Sequence, residues 1–330
     1  MNMSRNPGFK SAVVCAMLGF TAVSANAQSA PAVPQGTWSM AAQTTTERRE
    51  VGAVAANGKI YVVGGEALGR QDSPLLQEFD PATGHWRDLA PMPKGASHVG
   101  ADAMNGKIYV AGGFTADVHK NPLDQFLEYD IAANRWRELA PLSMPLGSVG
   151  LAAVGGRIHA IGGRKADGTT VATHEIYDPA TNKWTAAAPL PVARDHLGIL
   201  VVDGRIHVFG GRTASPAENV GLHDAYDAGT NTWRTLAPLP TPRSSGAAAL
   251  YRGLILYYGG ECKDPAKRVT FDEFEAYDPK TDGWKTLAKP PAGLHAQGGA
   301  ATGNAAYFIG GTEGCGGDKP SKAVYSFRLP

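Results

Sequence analysis

At 330 residues the chain is long enough for two domains, and 43% apolar residues can bury a sizeable core. Thirty-one Lys and Arg against 30 Asp and Glu give a formal net charge of +1 with no basic stripe, which argues against nucleic acid as a partner. The 41 glycines and 23 prolines suit many turns, and no stretch carries an uninterrupted helical period.

The first segment reads as a secretory signal. Arg5 and Lys10 precede the apolar stretch SAVVCAMLGFTAV, and Ala25-Asn26-Ala27 supplies the small residues of an A-x-A cleavage site. Cleavage after Ala27 is expected, which removes two positive charges and takes the net charge from +1 to about −1. The stretch is short for a bilayer span, and Val14 ahead of Cys15 does not fit a lipoprotein cleavage box. A soluble, exported protein without a membrane span is predicted, periplasmic or secreted.

From there the chain repeats. Its six tryptophans, Trp38, Trp86, Trp136, Trp184, Trp233 and Trp284, are separated by 48, 50, 48, 49 and 51 residues. Gly-Gly pairs keep the same beat at 64–65, 112–113, 162–163, 210–211, 259–260 and 310–311, each after an apolar run such as IYVV or IHVF. An aromatic followed by Asp comes next, at Phe79-Asp80, Tyr129-Asp130, Tyr177-Asp178, Tyr226-Asp227 and Tyr277-Asp278, with Trp six residues beyond each Asp.

Each unit predicts four short antiparallel strands. The first is built of small residues, as in VGAVAA, and suits an innermost position where neighbouring sheets converge. A tight turn such as Asn57-Gly58 or Asp203-Gly204 accepts positive φ and leads into the second strand, which ends in Gly-Gly. The third ends at Tyr-Asp, whose Asp side chain caps the following turn, and the fourth carries the Trp.

These landmarks resemble the Kelch family: paired glycines after a strand, Tyr-Asp-Pro-x-Thr, then Trp, about every 50 residues. The resemblance covers nearly the whole chain after Ala27 and implies an all-β, six-bladed propeller of four antiparallel strands per blade, one domain over 28–330. His159 and His207 depart from it by replacing the second-strand tyrosine, and the last unit lacks the Asp and the Trp. The Trp38 segment, which has no repeat before it, is expected to supply that missing outer strand and close the ring. The repeat tryptophans, His85, His159 and His207 then read as scaffold. Cys262 and Cys315 fall on equivalent loops of adjacent blades, and in an oxidising compartment a disulfide between them is expected.

A ligand face follows from the blade topology, because the segment leading into strand one and the loop after Gly-Gly emerge on the same side. Polar residues there are concentrated on blades four to six: Arg194, Asp195, His196, Arg212, Asn219, Arg243, Ser245, Glu261 and His295, joined by Arg49 on blade one. Glu50, Glu66, His98, His119, Ser148 and Arg164 are further polar positions of the same face. Guanidinium forks suit carboxylate or phosphate, and Glu261 and His295 are the candidates for proton exchange. The competing reading for each arginine is structural, a tether to nearby carbonyls. No G-x-S-x-G, HExxH, P-loop or dinucleotide fingerprint occurs, so neither a metal nor a cofactor is expected. A zinc site from His98, His196 and His295 would require residues of blades two, four and six to converge on the axis.

Three functions remain open. The Kelch resemblance implies a binding platform for a small acidic or carbohydrate ligand or for a protein partner, acting as a monomer. It also admits a sugar-active enzyme similar to the sialic acid mutarotases or epimerases, with Arg, Glu and His on one face. A galactose-oxidase-like oxidase ranks last, since it needs a Tyr–Cys crosslink while the two cysteines are better explained by a disulfide.

Overall fold

The computed structural model describes residue 1 and residues 35–330 apart from 68, 70, 117, 118 and 318. Residues 2–27 of the expected signal segment lie outside the described residues. Each repeat forms one sheet whose four antiparallel strands lie in chain order. Blade one comprises Gly52–Ala56, Lys59–Val63, Leu76–Asp80 and His85–Asp88, and blade four comprises Gly198–Val202, Arg205–Phe209, His223–Asp227 and Thr232–Thr235. Blades two and three repeat the pattern from Gly100 to Glu138 and from Gly150 to Ala186, and blade five from Ala247 to Thr286.

Blade six takes three strands from the C-terminal unit, Gly298–Thr302, Ala305–Ile309 and Ala323–Arg328. Its outer strand is Thr37–Gln43, paired antiparallel with Ala323–Arg328 so that Trp38 faces Phe327. The ring therefore closes with a strand from the opposite end of the described chain, as the orphan Trp38 predicts. Trp38 packs against Tyr258, Phe274, Phe308 and Phe327 and donates its indole N–H to Ala288 O at 2.8 Å.

The same contact recurs round the ring and explains the period. Trp136, Trp184, Trp233 and Trp284 donate to the carbonyls of Ala90, Ala140, Ala188 and Ala237, each in the linker before its own blade. The apolar clusters lie between blades: Val54, Tyr61, Val63 and Leu76 of blade one pack with Ile108, Val110, Leu127 and Tyr129 of blade two. Asp80, Asp178, Asp227 and Asp278 accept backbone N–H groups two residues on, the turn-capping role expected of them.

The Gly-Gly pairs are where neighbouring blades touch. At Gly162, φ is +66° and a Cβ would stand 2.6 Å from Arg194 O of the next blade. The second glycine donates across the same seam, with Gly163 N to Arg194 O at 3.2 Å and Gly211 N to Arg243 O at 3.0 Å. The small first strands line an axial channel of about 460 Å³, with Gly52, Gly100, Gly150, Gly198, Ala247 and Gly298 on its wall.

Cys262 and Cys315 are joined by a disulfide that ties the long second strand of blade five, Leu254–Asp264, to the segment after Gly310-Gly311 in blade six. Neither of these two cysteines is thereby free for a Tyr–Cys crosslink. Among the described residues no helix is long and apolar enough to cross a membrane; one 3-10 turn, Pro216–Glu218, is present.

Candidate functional site

One residue of each lead-in segment stands two places before the first strand, and these six form a ring at one end of the axis. They are Glu50, His98, Ser148, His196, Ser245 and Ala296, all left-handed, with φ between +49° and +61°. Non-glycine residues pay about 1 kcal/mol or more for this conformation, so six together need a compensating structure. It is a belt of backbone hydrogen bonds running from blade to blade. Glu50 N donates to Ala296 O (2.7 Å), His98 N to Glu50 O (3.0 Å), Ser148 N to His98 O (2.9 Å), Ser245 N to His196 O (2.9 Å) and Ala296 N to Ser245 O (2.8 Å). The belt surrounds an axial cavity of about 130 Å³ lined by the six residues and Gln297.

The residue two places before the ring is buried work for the scaffold. Arg194 is 0% exposed, donating to Asp224 Oδ2 (2.8 Å), Val208 O and Val192 O. Arg243 is equally buried, donating to Gly259 O (2.8 Å), Thr241 O (2.9 Å), Tyr257 O (3.0 Å) and Glu275 Oε2. Arg48 does the same on blade one with Gly64 O, Leu75 O and Gln77 Oε1. These bonds hold each lead-in segment against the second and third strands of its own blade. Arg194 and Arg243 therefore have their guanidinium groups directed into the blade.

Arg212 and Arg49 sit differently, on the loops and lead-ins nearer the axis. Arg212 donates Nε to Asp195 Oδ1 (2.9 Å) and Nη1 to Glu261 Oε2 (2.8 Å), while Nη2 lies 3.2 Å from His196 Nε2 and 3.3 Å from His119 Nε2. Asp195 also receives Arg164 (3.2 Å) and His196 Nδ1 (2.7 Å). Burial pushes the Asp195 carboxyl up, but His196, Arg212 and Arg164 outweigh it and hold it well below the ordinary carboxylate range. Arg49 pairs with Glu66 Oε2 and donates to the carbonyls of Gly316 and Gly317, in the hairpin that Cys315 anchors.

Burial lowers three imidazoles at this mouth. His119 is pushed down to about 2, and His196 and His295 are also lowered, all by burial first. Neutral imidazoles offer one lone pair each, and Arg212 Nη2 marks where those of His119 and His196 point. Several polar atoms close by have no hydrogen-bond partner in the protein: Ser245 Oγ, His295 Nδ1, Asn219 Oδ1 and Gln297 Oε1.

Of the residues expected from the sequence, Arg212 thus brings together Asp195, His196 and Glu261, and its backbone bridges to Asn219. Ser245 stands in the ring, and His295 bridges to Thr312 beside it. Glu50, His98 and His119 fall outside the excess on blades four to six, yet Glu50 Oε2 lies 3.4 Å from His98 Nε2 and His98 packs against both His119 and His196. Reading one column down all six repeats (Glu50, His98, Ser148, His196, Ser245, Ala296) gives the signal for the first two.

The ring and its polar mouth define the class: a Kelch-type six-bladed β-propeller with a polar mouth on one axial face. Residues 36–316 match the family described as the Attractin/LZTR1 β-propeller, and the chain belongs to that family. Among solved structures 1080 chains match, so the fold by itself selects no activity. One of them, described as "Structure of YjhT", agrees with a TM-score of 0.71 at 15% sequence identity over 87% of this chain and 98% of that one, a likeness of fold. No curated protein matches the chain.

Proposed function

We propose that this propeller is an exported binding platform for a small acidic or carbohydrate ligand, held at the axial mouth by Arg212, Glu261, Asp195, His196, Ser245, Asn219, His295 and Arg49. The observation that carries this reading is the set of buried polar atoms left without partners beside the Arg212–Glu261 fork. An unsatisfied buried donor or acceptor costs about 1–3 kcal/mol, and hydroxyl or carboxylate groups of a ligand would satisfy several at once. Arg194 and Arg243 support the mouth from beneath it without contacting the ligand. The Cys262–Cys315 disulfide supports a periplasmic or secreted location.

The test is a thermal-shift screen of neutral sugars against sugar acids, followed by titration of any hit against Arg212→Ala. A hit that binds Arg212→Ala as well as the parent protein would remove the site. A protein partner at the same face would leave the screen blank and be captured only with the face intact.

A catalytic version of the same site has one specific observation behind it. His295 keeps a neutral imidazole with an unpartnered Nδ1, and the Glu261 carboxylate acts on it electrostatically. Such a pair can pass a proton to and from a sugar ring oxygen, the step that anomer exchange requires. Exchange measured by NMR on a bound sugar, lost in His295→Ala and Glu261→Gln, distinguishes this from binding alone.

A further inference from the structure

We propose that His98, His119 and His196 form a binding site for one late first-row divalent cation, with Zn²⁺ the best geometric fit. The site goes beyond the organic-ligand reading and stands or falls independently of it.

Each of the three imidazoles can present one nitrogen within 4.8 Å of the other two. Their ring centres form a nearly equilateral triangle of 5.1, 5.2 and 5.3 Å, with interplanar angles of 67°, 77° and 78°. A tetrahedral ion about 2.1 Å from each of three imidazole nitrogens sets the ring centres about 5 Å apart, so the rings need reorientation more than translation.

The groups around the triad are those a metal site uses. His196 Nδ1 is held at 2.7 Å by the Asp195 carboxylate and His98 Nδ1 at 3.1 Å by Ser97 Oγ, which turns the Nε2 atoms of both rings toward other partners. The Glu50 carboxylate, 3.4 Å from His98 Nε2, can take the fourth position or offset the charge. Burial keeps His119 and His196 neutral, the form in which imidazole binds metal.

A second observation points to a cation at this spot. The Nη2 group of Arg212, itself part of a cation, already lies between His119 Nε2 and His196 Nε2 at 3.3 and 3.2 Å. It is thus a competitor for the two lone pairs, and Glu261 at 2.8 Å from Nη1 offers the place to which it can withdraw.

The experiment uses the full chain without added histidines, stripped with a chelator and then equilibrated with Zn²⁺ by dialysis, with bound metal read by mass spectrometry. One equivalent per chain is expected, and Co²⁺ in its place should give the intense visible absorption of a tetrahedral site. His119→Ala and His98→Ala should each weaken binding at least tenfold. His119 lies half-buried on a hairpin, so its variant is expected to fold as the parent does, which circular dichroism checks. Arg212→Ala should bind the metal as tightly as the parent or more tightly, and His85→Ala, at the start of the exposed outer strand of blade one, should bind unchanged. Failure to bind near one equivalent, or binding undiminished in both His119→Ala and His98→Ala, would overturn the proposal.

Discussion

Nδ1 of His196 lies 2.7 Å from Oδ1 of Asp195, and that same oxygen receives Nε of Arg212 at 2.9 Å. One buried carboxylate therefore orients both the imidazole and the guanidinium that face the axis. Asp195→Asn removes the charge while keeping the shape, leaving Arg212 and Arg164 short of their partner. A loss of about 3–5 kcal/mol is expected, together with weaker ligand binding, and urea unfolding measures the first directly. An unchanged unfolding midpoint would show that the network carries no such load.

Arg243 separates scaffold from site. Its guanidinium is enclosed by carbonyls and Glu275, so Arg243→Ala leaves a buried carboxylate unpaired. Destabilisation of about 3–5 kcal/mol is expected from urea unfolding, with any residual folded protein binding ligand at near-parent affinity.

Closure of the ring rests on Trp38. Trp38→Ala removes an indole in contact with four aromatic rings and a hydrogen bond to Ala288. A loss of about 3 kcal/mol is expected. Because the strand closes the ring, unfolding should stay cooperative, with a lower midpoint and a single transition by fluorescence and circular dichroism.

Acid should weaken the fold in a window set by two buried imidazole pairs. His159 Nδ1 and His174 Nε2 lie 2.9 Å apart, as do His207 Nδ1 and His223 Nε2. Burial lowers them to about 3, 4, 4 and 3 respectively, against about 6.5 in an unfolded chain. Between these values the unfolded state binds more protons, so the stability they provide is complete above about pH 6.5 and is lost as pH falls toward 4. Asp102, raised by burial to about 6, acts in the opposite direction over part of this range, whereas the lowered imidazoles of His119, His196 and His295 act in the same direction as the two pairs. Urea midpoints at pH 7, 6 and 5 should decline steadily, and His174→Gln with His223→Gln should flatten the decline.

Much of this architecture is legible in the sequence because it is periodic. The Trp, Gly-Gly and Tyr-Asp landmarks each have one structural job repeated round the ring, and the orphan Trp38 matches the strand missing after AVYSFRLP. The seam leaves a trace: the Trp86 indole N–H is buried without a partner, whereas four other repeat tryptophans reach a linker carbonyl in the preceding segment. The site is less legible. An arginine two places before the ring reads the same whether it faces a ligand or a carboxylate, and the partners that decide it, Asp224 and Glu275, lie 30 and 32 residues away. His119 sits on a hairpin after Gly112-Gly113, where the repeat fixes no register, so only the folded chain brings it to His98 and His196.

The ligand site at the axial mouth is tested most directly by calorimetric titration of the best sugar or sugar acid from the thermal screen into the parent protein and Arg212→Ala. One ligand per chain, bound at least tenfold more weakly by the variant, is the expected result, since a hydrogen bond to a charged group contributes about 1.5–3 kcal/mol. Equal affinity in the two proteins, or no binding of any sugar or sugar acid to the parent, would contradict it.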